Sequence, residues 1–152
     1  MIESPAALAA RRLFAEDRAA ILAHLLALNC DDRYGRFASA LSDHAIAAYV
    51  ARLRLDHDAG FGIVDTGGRL SCFLHLALHP PAGEICASVL PESRRQGLAR
   101  RLFAAAFRHA RHRSLDTIHL ATGHPAALRI CHTLGLAVDL RPTAPRAIVR
   151  LI

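Results

Sequence analysis

A chain of 152 residues, 53% hydrophobic and free of long low-complexity tracts, is the size of one domain and apolar enough to bury a core, which excludes disorder. Its net charge of +6 invites a nucleic-acid reading, but the arginines are spread along the chain, and two tyrosines with no tryptophan offer little base stacking. All 19 basic residues are arginine, a bias that points to genome composition before function, and no apolar run reaches the length of a membrane span.

Leu8 to Phe14 is the first predicted strand, interrupted by Arg11 and Arg12. Glu16 and Asp17 open a helix, as acids in a first turn do, and Ile21, Leu22, Leu25, Leu26 and Leu28 give it a broad apolar face. Asn29 and Cys30 are expected to end it. The charged and aromatic run Asp31 to Phe37 reads as a loop or a single helical turn. Ser42 caps a helix over roughly Asp43 to Leu53, with Ile46, Tyr49, Val50 and Leu53 as its buried stripe. His57 to Gly60 is a turn, Phe61 to Asp65 a strand, Thr66-Gly67-Gly68 a hairpin turn, and Arg69 to Leu78 the returning strand.

His79 to Gly83 breaks the chain before a strand from Glu84 to Leu90. A long helix follows and ends near Arg113-Ser114, and Thr117 to Thr122 is the next strand. Gly123-His124-Pro125 begins a short helix that stops at Gly135. Ala137 to Leu140 and Ala147 to Leu151 close the chain as strands. No repeat or linker divides it, so residues 1–152 are read as one domain. Cys30, Cys72, Cys86 and Cys131 include no C-x-x-C pair and read as reduced thiols in a cytoplasmic protein without a signal peptide. His75 and His79 on a strand stand about 13 Å apart, and His109 with His112 lacks a third ligand, so no metal is expected.

Chemistry concentrates between Ser88 and Phe103. A mostly apolar run, Ile85 to Leu90, leads through a Pro91-headed loop to a helix whose Leu98, Leu102, Ala105 and Ala106 recur at helical spacing. Gly97 lets backbone approach a ligand, and the small Ala99 keeps the first turn uncrowded. A helix N-terminus carries free N–H groups and the positive dipole end, and Arg94, Arg95 and Arg100 add mobile positive charge. The unit reads as a pyrophosphate cradle, although it carries neither G-x-G-x-x-G nor the Gly-Lys-Ser/Thr of a P-loop.

Arg94-Arg95-Gln96-Gly97-Leu98-Ala99 resembles the acyl-CoA-binding motif Gln/Arg-x-x-Gly-x-Gly/Ala of the GNAT superfamily of N-acetyltransferases. His124 to Leu136 resembles that family's Asn-x-x-Ala-x-x-x-Tyr-x-x-x-Gly-Phe, with Ala127, Gly135 and Leu136 in place, His124 at the Asn position and Cys131 at the Tyr position. Arg33 to Phe37 is similar to the Arg-x-x-Arg-Phe of bacterial protein-lysine acetyltransferase domains. The resemblance spans the whole element order. It implies an α/β (α+β) fold, a mixed, mostly antiparallel sheet of about seven strands flanked by about four helices, with acetyl-CoA as co-substrate.

An amine of pKa about 10.4 must lose a proton before it attacks a thioester. Glu84, opening the strand beside the cradle, is the candidate general base, against the alternative of a surface carboxylate. The resemblance implies further roles. The Val89 N–H would polarise the thioester carbonyl; Ser88, Val89 and Leu90 would pair with the pantetheine arm; Arg94, Arg95, Gln96, Gly97, Leu98, Ala99 and Arg100 would hold the pyrophosphate; His124 would replace the usual Asn. Cys131 could protonate the departing thiolate as the family tyrosine does, or simply pack.

The expected function is acetyl transfer from acetyl-CoA to a primary amine, a small molecule or a protein lysine. The competing class is a catalytically weak acyl-CoA-binding regulatory module, which the missing tyrosine favours. Neither membrane nor nucleic acid is an expected partner, and a homo-oligomer stays open.

Overall fold

In the computed structural model, which describes residues 9–120, 124–140 and 147–151, the chain runs β1 (Arg11–Leu13), α1 (Arg18–Leu26), α2 (Cys30–Phe37), α3 (Asp43–Arg52), β2 (Ala59–Val64), β3 (Leu70–His79) and β4 (Ala82–Val89). It continues as α4 (Leu98–His112), β5 (Thr117–Leu120), α5 (Pro125–Thr133), β6 (Ala137–Leu140) and β7 (Ala147–Arg150). The strands form one sheet in the order β1-β2-β3-β4-β5-β7-β6. Every neighbouring pair is antiparallel except β4 and β5, which run parallel.

The almost unbroken apolar composition of β3 reflects burial on both faces, since alternate side chains enter two different cores. Leu74 and Leu76 join Ile85, Ile118 and Val149 under Leu102, Phe103 and Phe107 of α4. Leu70 and Phe73 join Leu13 beneath Ile21 and Leu25 of α1 and Ile46 and Val50 of α3. A Cβ on Gly62 of β2 would stand 2.5 Å from Leu70 Cδ1 and 3.0 Å from Leu13 Cδ1, so this position has room for a hydrogen only.

The sheet matches the seven strands expected. Among the described residues there are five α-helices rather than about four, because Cys30 to Phe37 is a full helix and not a loop. The reason is local. Asn29 does not close α1 but caps α2: its side-chain oxygen accepts the Asp32 N–H at 2.9 Å. Ala38 then ends the helix in the left-handed region, φ 57°.

The first strand is also shorter than expected, because Asp17 turns back to accept the Phe14 N–H at 2.8 Å and winds Ala15–Asp17 into a 3-10 turn. Similarly, the turn expected at His57 to Gly60 sits earlier, where the Asp58 N–H donates to Arg54 O at 2.7 Å, so β2 starts at Ala59. The reversal before β4 narrows to Pro80-Pro81. Leu8, the Thr122 end of β5, Gly123 and the loop between β6 and β7 lie outside the described residues. Among those described, no helix is long and apolar enough to cross a membrane.

Candidate active site

In the parallel pair β4–β5, Ala82–Ile85 pair with Thr117–Leu120, while β3 follows β4 as far as Cys72 opposite Val89. Beyond Ile85, the residues Cys86 to Val89 line a groove of about 520 Å³. Backbone groups alternate along such a ladder. The Leu90 N–H donates to Ser71 O at 2.9 Å, so the groups of Ala87 and Val89 point away from β3, toward the groove side. The Val89 carbonyl already accepts from Arg94 Nε at 3.2 Å.

At one end of the groove stands the first turn of α4. Gly97 is its N-cap at φ 74°, and no side chain caps it, so the opening N–H groups of this 15-residue helix keep their donors and its positive dipole end. A Cβ on Gly97 would meet nothing within 4 Å. Arg95, at φ 64°, helps bend the loop around this point. Arg95 and Arg100 line the groove with no ion pair among the described residues, whereas Arg94 Nη2 reaches across to Asp32 Oδ1 at 2.6 Å. On the side of α5, His124 caps its own helix, its Nδ1 accepting the Ala126 N–H at 3.1 Å.

Of the residues singled out from the sequence, Ser88, Val89, Arg94, Arg95, Gly97, Leu98, Ala99, Arg100 and His124 line this one groove. Gln96 is exposed beside it, and Leu90 is buried in the core beneath α1 and α3. Glu84 is half-buried at register with Ala77 and His119, on the face of β4 that also carries Cys86 and Ser88, one side-chain repeat beyond the groove lining. Cys131 is wholly enclosed in the core beneath α4, and burial pushes its thiol up to about 11.

Helix α2 supplies what the sequence reading missed: Asp31, Asp32, Gly35 and Arg36 form the opposite wall. The signals were the Asn29 cap and the four-residue spacing that stacks Asp32 and Arg36 on one helix face. Arg36 is 3% exposed; its Nη1 donates to Ser88 Oγ at 3.3 Å and Phe73 O at 3.4 Å, and its guanidinium lies 4.8 Å from the Phe73 ring centre. Ser88 Oγ also stands 2.8 Å from His24 Nε2, while His24 Nδ1 lies 2.8 Å from Leu70 O. A carbonyl can only accept, so Nδ1 carries the proton and Nε2 accepts the Ser88 O–H. Burial drives the His24 pKa down to about 4, keeping the ring neutral.

Deeper on the same face, the Tyr49 hydroxyl meets His75 Nδ1 at 3.3 Å and His75 Nε2 meets Asp58 Oδ2 at 3.0 Å. Burial lowers the His75 pKa, with Asp58 opposing it. Among the described residues no group of His, Cys, Asp and Glu could hold a metal ion. The arrangement could present the peptide groups of Ala87 and Val89 to an amide-bearing arm and, at the α4 end, N–H groups and arginines to phosphates.

No curated protein sequence matches the chain. Solved structures do resemble it in fold. The GNAT domain of S. lividans PAT gives a TM-score of 0.71 at 14% identity, over 92% of this chain and 87% of that one. An N-acetyltransferase from Staphylococcus aureus Mu50 gives 0.67 at 16%, over 94% and 98%. A GNAT superfamily phosphinothricin acetyltransferase from Sinorhizobium meliloti, solved with AcCoA, gives 0.66 at 15%, over 92% and 85%. Residues 10–135 match the acetyltransferase (GNAT) family, and the chain belongs to that family of N-acetyltransferases, for which acetyl-CoA is the co-substrate.

Proposed function

We propose that acetyl-CoA lies along the end of β4 with its pyrophosphate on the uncapped N-terminus of α4, and that its acetyl group passes directly to a primary amine. One observation carries this reading: the end of β4 and the N-terminus of α4, which no side chain caps, line one groove on the residues that resemble the family's cofactor motif. The acetyl-CoA complex of the Sinorhizobium relative supports the same cofactor here.

The pantetheine amides pair with the outward backbone groups of β4. The Val89 N–H polarises the thioester carbonyl, and such a preorganised donor lowers the barrier by a few kcal/mol. Phosphates take the N–H groups of Leu98 to Arg100, with Arg95 and Arg100 as mobile counter-charges. Glu84 is the general base. It stands about 16 Å along β4 from Val89, at ~3.3 Å per residue, so it takes the amine's proton through a chain of waters. Cys131, closed into the core, packs rather than donates, and solvent protonates the departing thiolate. A cytoplasmic setting suits a CoA-using protein whose cysteine spacing suggests no disulfide framework.

A regulatory acyl-CoA-binding module is the second reading, favoured by a buried cysteine where the family has a tyrosine. Free-thiol release from acetyl-CoA over a panel of amines and peptides separates the two, since a module binds without turnover. Glu84→Gln, followed from mildly acidic to strongly basic pH, tests the base. Loss of about 10² to 10⁴ in rate with a flattened acid limb is expected; an unchanged profile removes Glu84 from the mechanism.

A further inference from the structure

The groove contains an uncompensated buried cation. Arg36 is 3% exposed, yet no carboxylate among the described residues stands within salt-bridge distance of it, and both Nε and Nη2 are buried without a hydrogen-bond partner. The contacts it does have are two long bonds from Nη1 and the rings of Phe73 and Phe37. These hold the guanidinium in place but do not neutralise it. Burial raises the Tyr49 pKa, and Arg36 opposes this through its charge and a side-chain hydrogen bond, but a neutral phenol does not balance the guanidinium charge. A buried charge without a partner is among the costliest arrangements a fold can keep.

The chemistry of the groove narrows what belongs there. Nε–H and one Nη2–H lie side by side and parallel, the fork that takes two oxygens of one anionic group. A thioester or pantetheine carbonyl has a single oxygen and no charge, so neither fills it. One helical turn back on the same face, Asp32 shows the mirror image. Its Oδ1 is held by Arg94 Nη2 at 2.6 Å, and its Oδ2 is buried with no donor. Arg36 Nε and Nη2 without acceptors and Asp32 Oδ2 without a donor thus line one groove, on residues whose Cβ atoms stand about 6 Å apart. Arg94 also reaches the Val89 carbonyl, which puts Asp32 near the strand edge where the thioester is proposed to lie.

Building on the acetyl-transfer reading, we infer that the acceptor is a small amino acid, its carboxylate bound by the Nε/Nη2 fork of Arg36 and its amine held by Asp32 Oδ2 against the thioester. A lysine side chain within a protein carries no carboxylate at that spacing and does not meet both groups.

The test uses matched pairs of acceptors: free amino acids, beginning with glycine, β-alanine and the common L-α-amino acids, each against its amide, together with lysine-containing peptides. The best free acid is expected to exceed its amide in kcat/KM by about 10- to 100-fold, the range of a charge-assisted bond. In Arg36→Gln that acid-to-amide ratio falls toward one, Arg36→Lys restores part of it, and the Kd for CoA stays within about threefold. Equal turnover of acids and amides, lysine peptides as the best acceptors, or a loss of CoA affinity in Arg36→Gln overturns the inference. The wild-type comparison needs no variant to fold. If nothing is turned over, calorimetric titration of the same amino acids and of propionate into the CoA-loaded protein decides separately. Carboxylate binding that Arg36→Gln abolishes upholds the site while the acetyl-transfer reading fails, and no carboxylate binding overturns the site itself.

Discussion

His24 makes a pH prediction that can be worked from the structure. Its ring is fully buried, donates to Leu70 O and accepts from Ser88, and burial takes its pKa from the ordinary 6.5 down to about 4. Above pH 6.5 folded and unfolded chains both hold a neutral ring, so there is no penalty. As pH falls through 6.5 the unfolded chain takes up a proton that the folded ring refuses, and stability drains away until the folded ring also protonates near pH 4. The whole interval is worth about 3 kcal/mol, of which about 2 kcal/mol is lost by pH 5. His24→Gln can keep both hydrogen bonds but has no proton to gain. Urea unfolding of both proteins at intervals between about pH 5 and pH 7.5 reads the effect. His75 and His109, also lowered by burial, are common to both, so the difference in slope belongs to His24. The wild type should lose about 2 kcal/mol more than the variant across that range. Parallel curves would falsify the buried neutral-histidine account.

Three further outcomes follow from the geometry. Gly97→Glu puts a negative side chain at φ 74° into the space above the α4 N-terminus; acetyl-CoA affinity measured by calorimetry should drop at least about tenfold, and wild-type affinity should weaken as salt rises. Unchanged affinity in that variant would move the pyrophosphate elsewhere. Gly62→Ala drives a methyl to 2.5 Å from Leu70 Cδ1 and should cost about 1–3 kcal/mol in urea unfolding, with a neutral result showing that β1 and β2 can part. Cys131→Ala should lower stability by about 1 kcal/mol while leaving kcat within about threefold; a hundredfold fall in kcat with folding intact would make this thiol the acid.

How legible the fold was depended on where the determining force lay. Apolar runs bounded by turn residues located β2 and β3, and a glycine before an amphipathic run located α4, because each signal is local. The segment from Asp31 to Phe37 escaped because its polar residues face a groove rather than a core, and hydrophobic periodicity is silent on such a helix. The local signs were Asn29, which can as readily end one helix as begin another, and the four-residue spacing of Asp32 and Arg36, which makes no apolar stripe. The residues at the α4 end of the groove were readable from a contiguous motif. The Arg36–Ser88–His24 chain was not, because its members lie 52 and 64 residues apart in sequence and meet only when α1 and α2 pack on β4. Glu84 lies on the expected strand, but its place outside the groove lining is set by how the neighbouring elements pack on β4, which no single strand's sequence encodes.

The two walls of the groove also bear on how such a protein can change. Were acetyl-CoA to lie along β4 as proposed, it would be held by peptide groups, which every amino acid carries alike. The side chains of Ala87 and Val89 turn instead toward the core beneath α4, where packing constrains them. Cofactor recognition would then be nearly insensitive to sequence along the strand, provided the strand persists. The opposite wall, on α2, is built of side chains, but Arg36 bonds Ser88 and the Phe73 carbonyl, and Asp32 bonds Arg94. A redesigned α2 would therefore keep the acyl-donor berth only by replacing those bonds while it supplied complementarity to a new nucleophile.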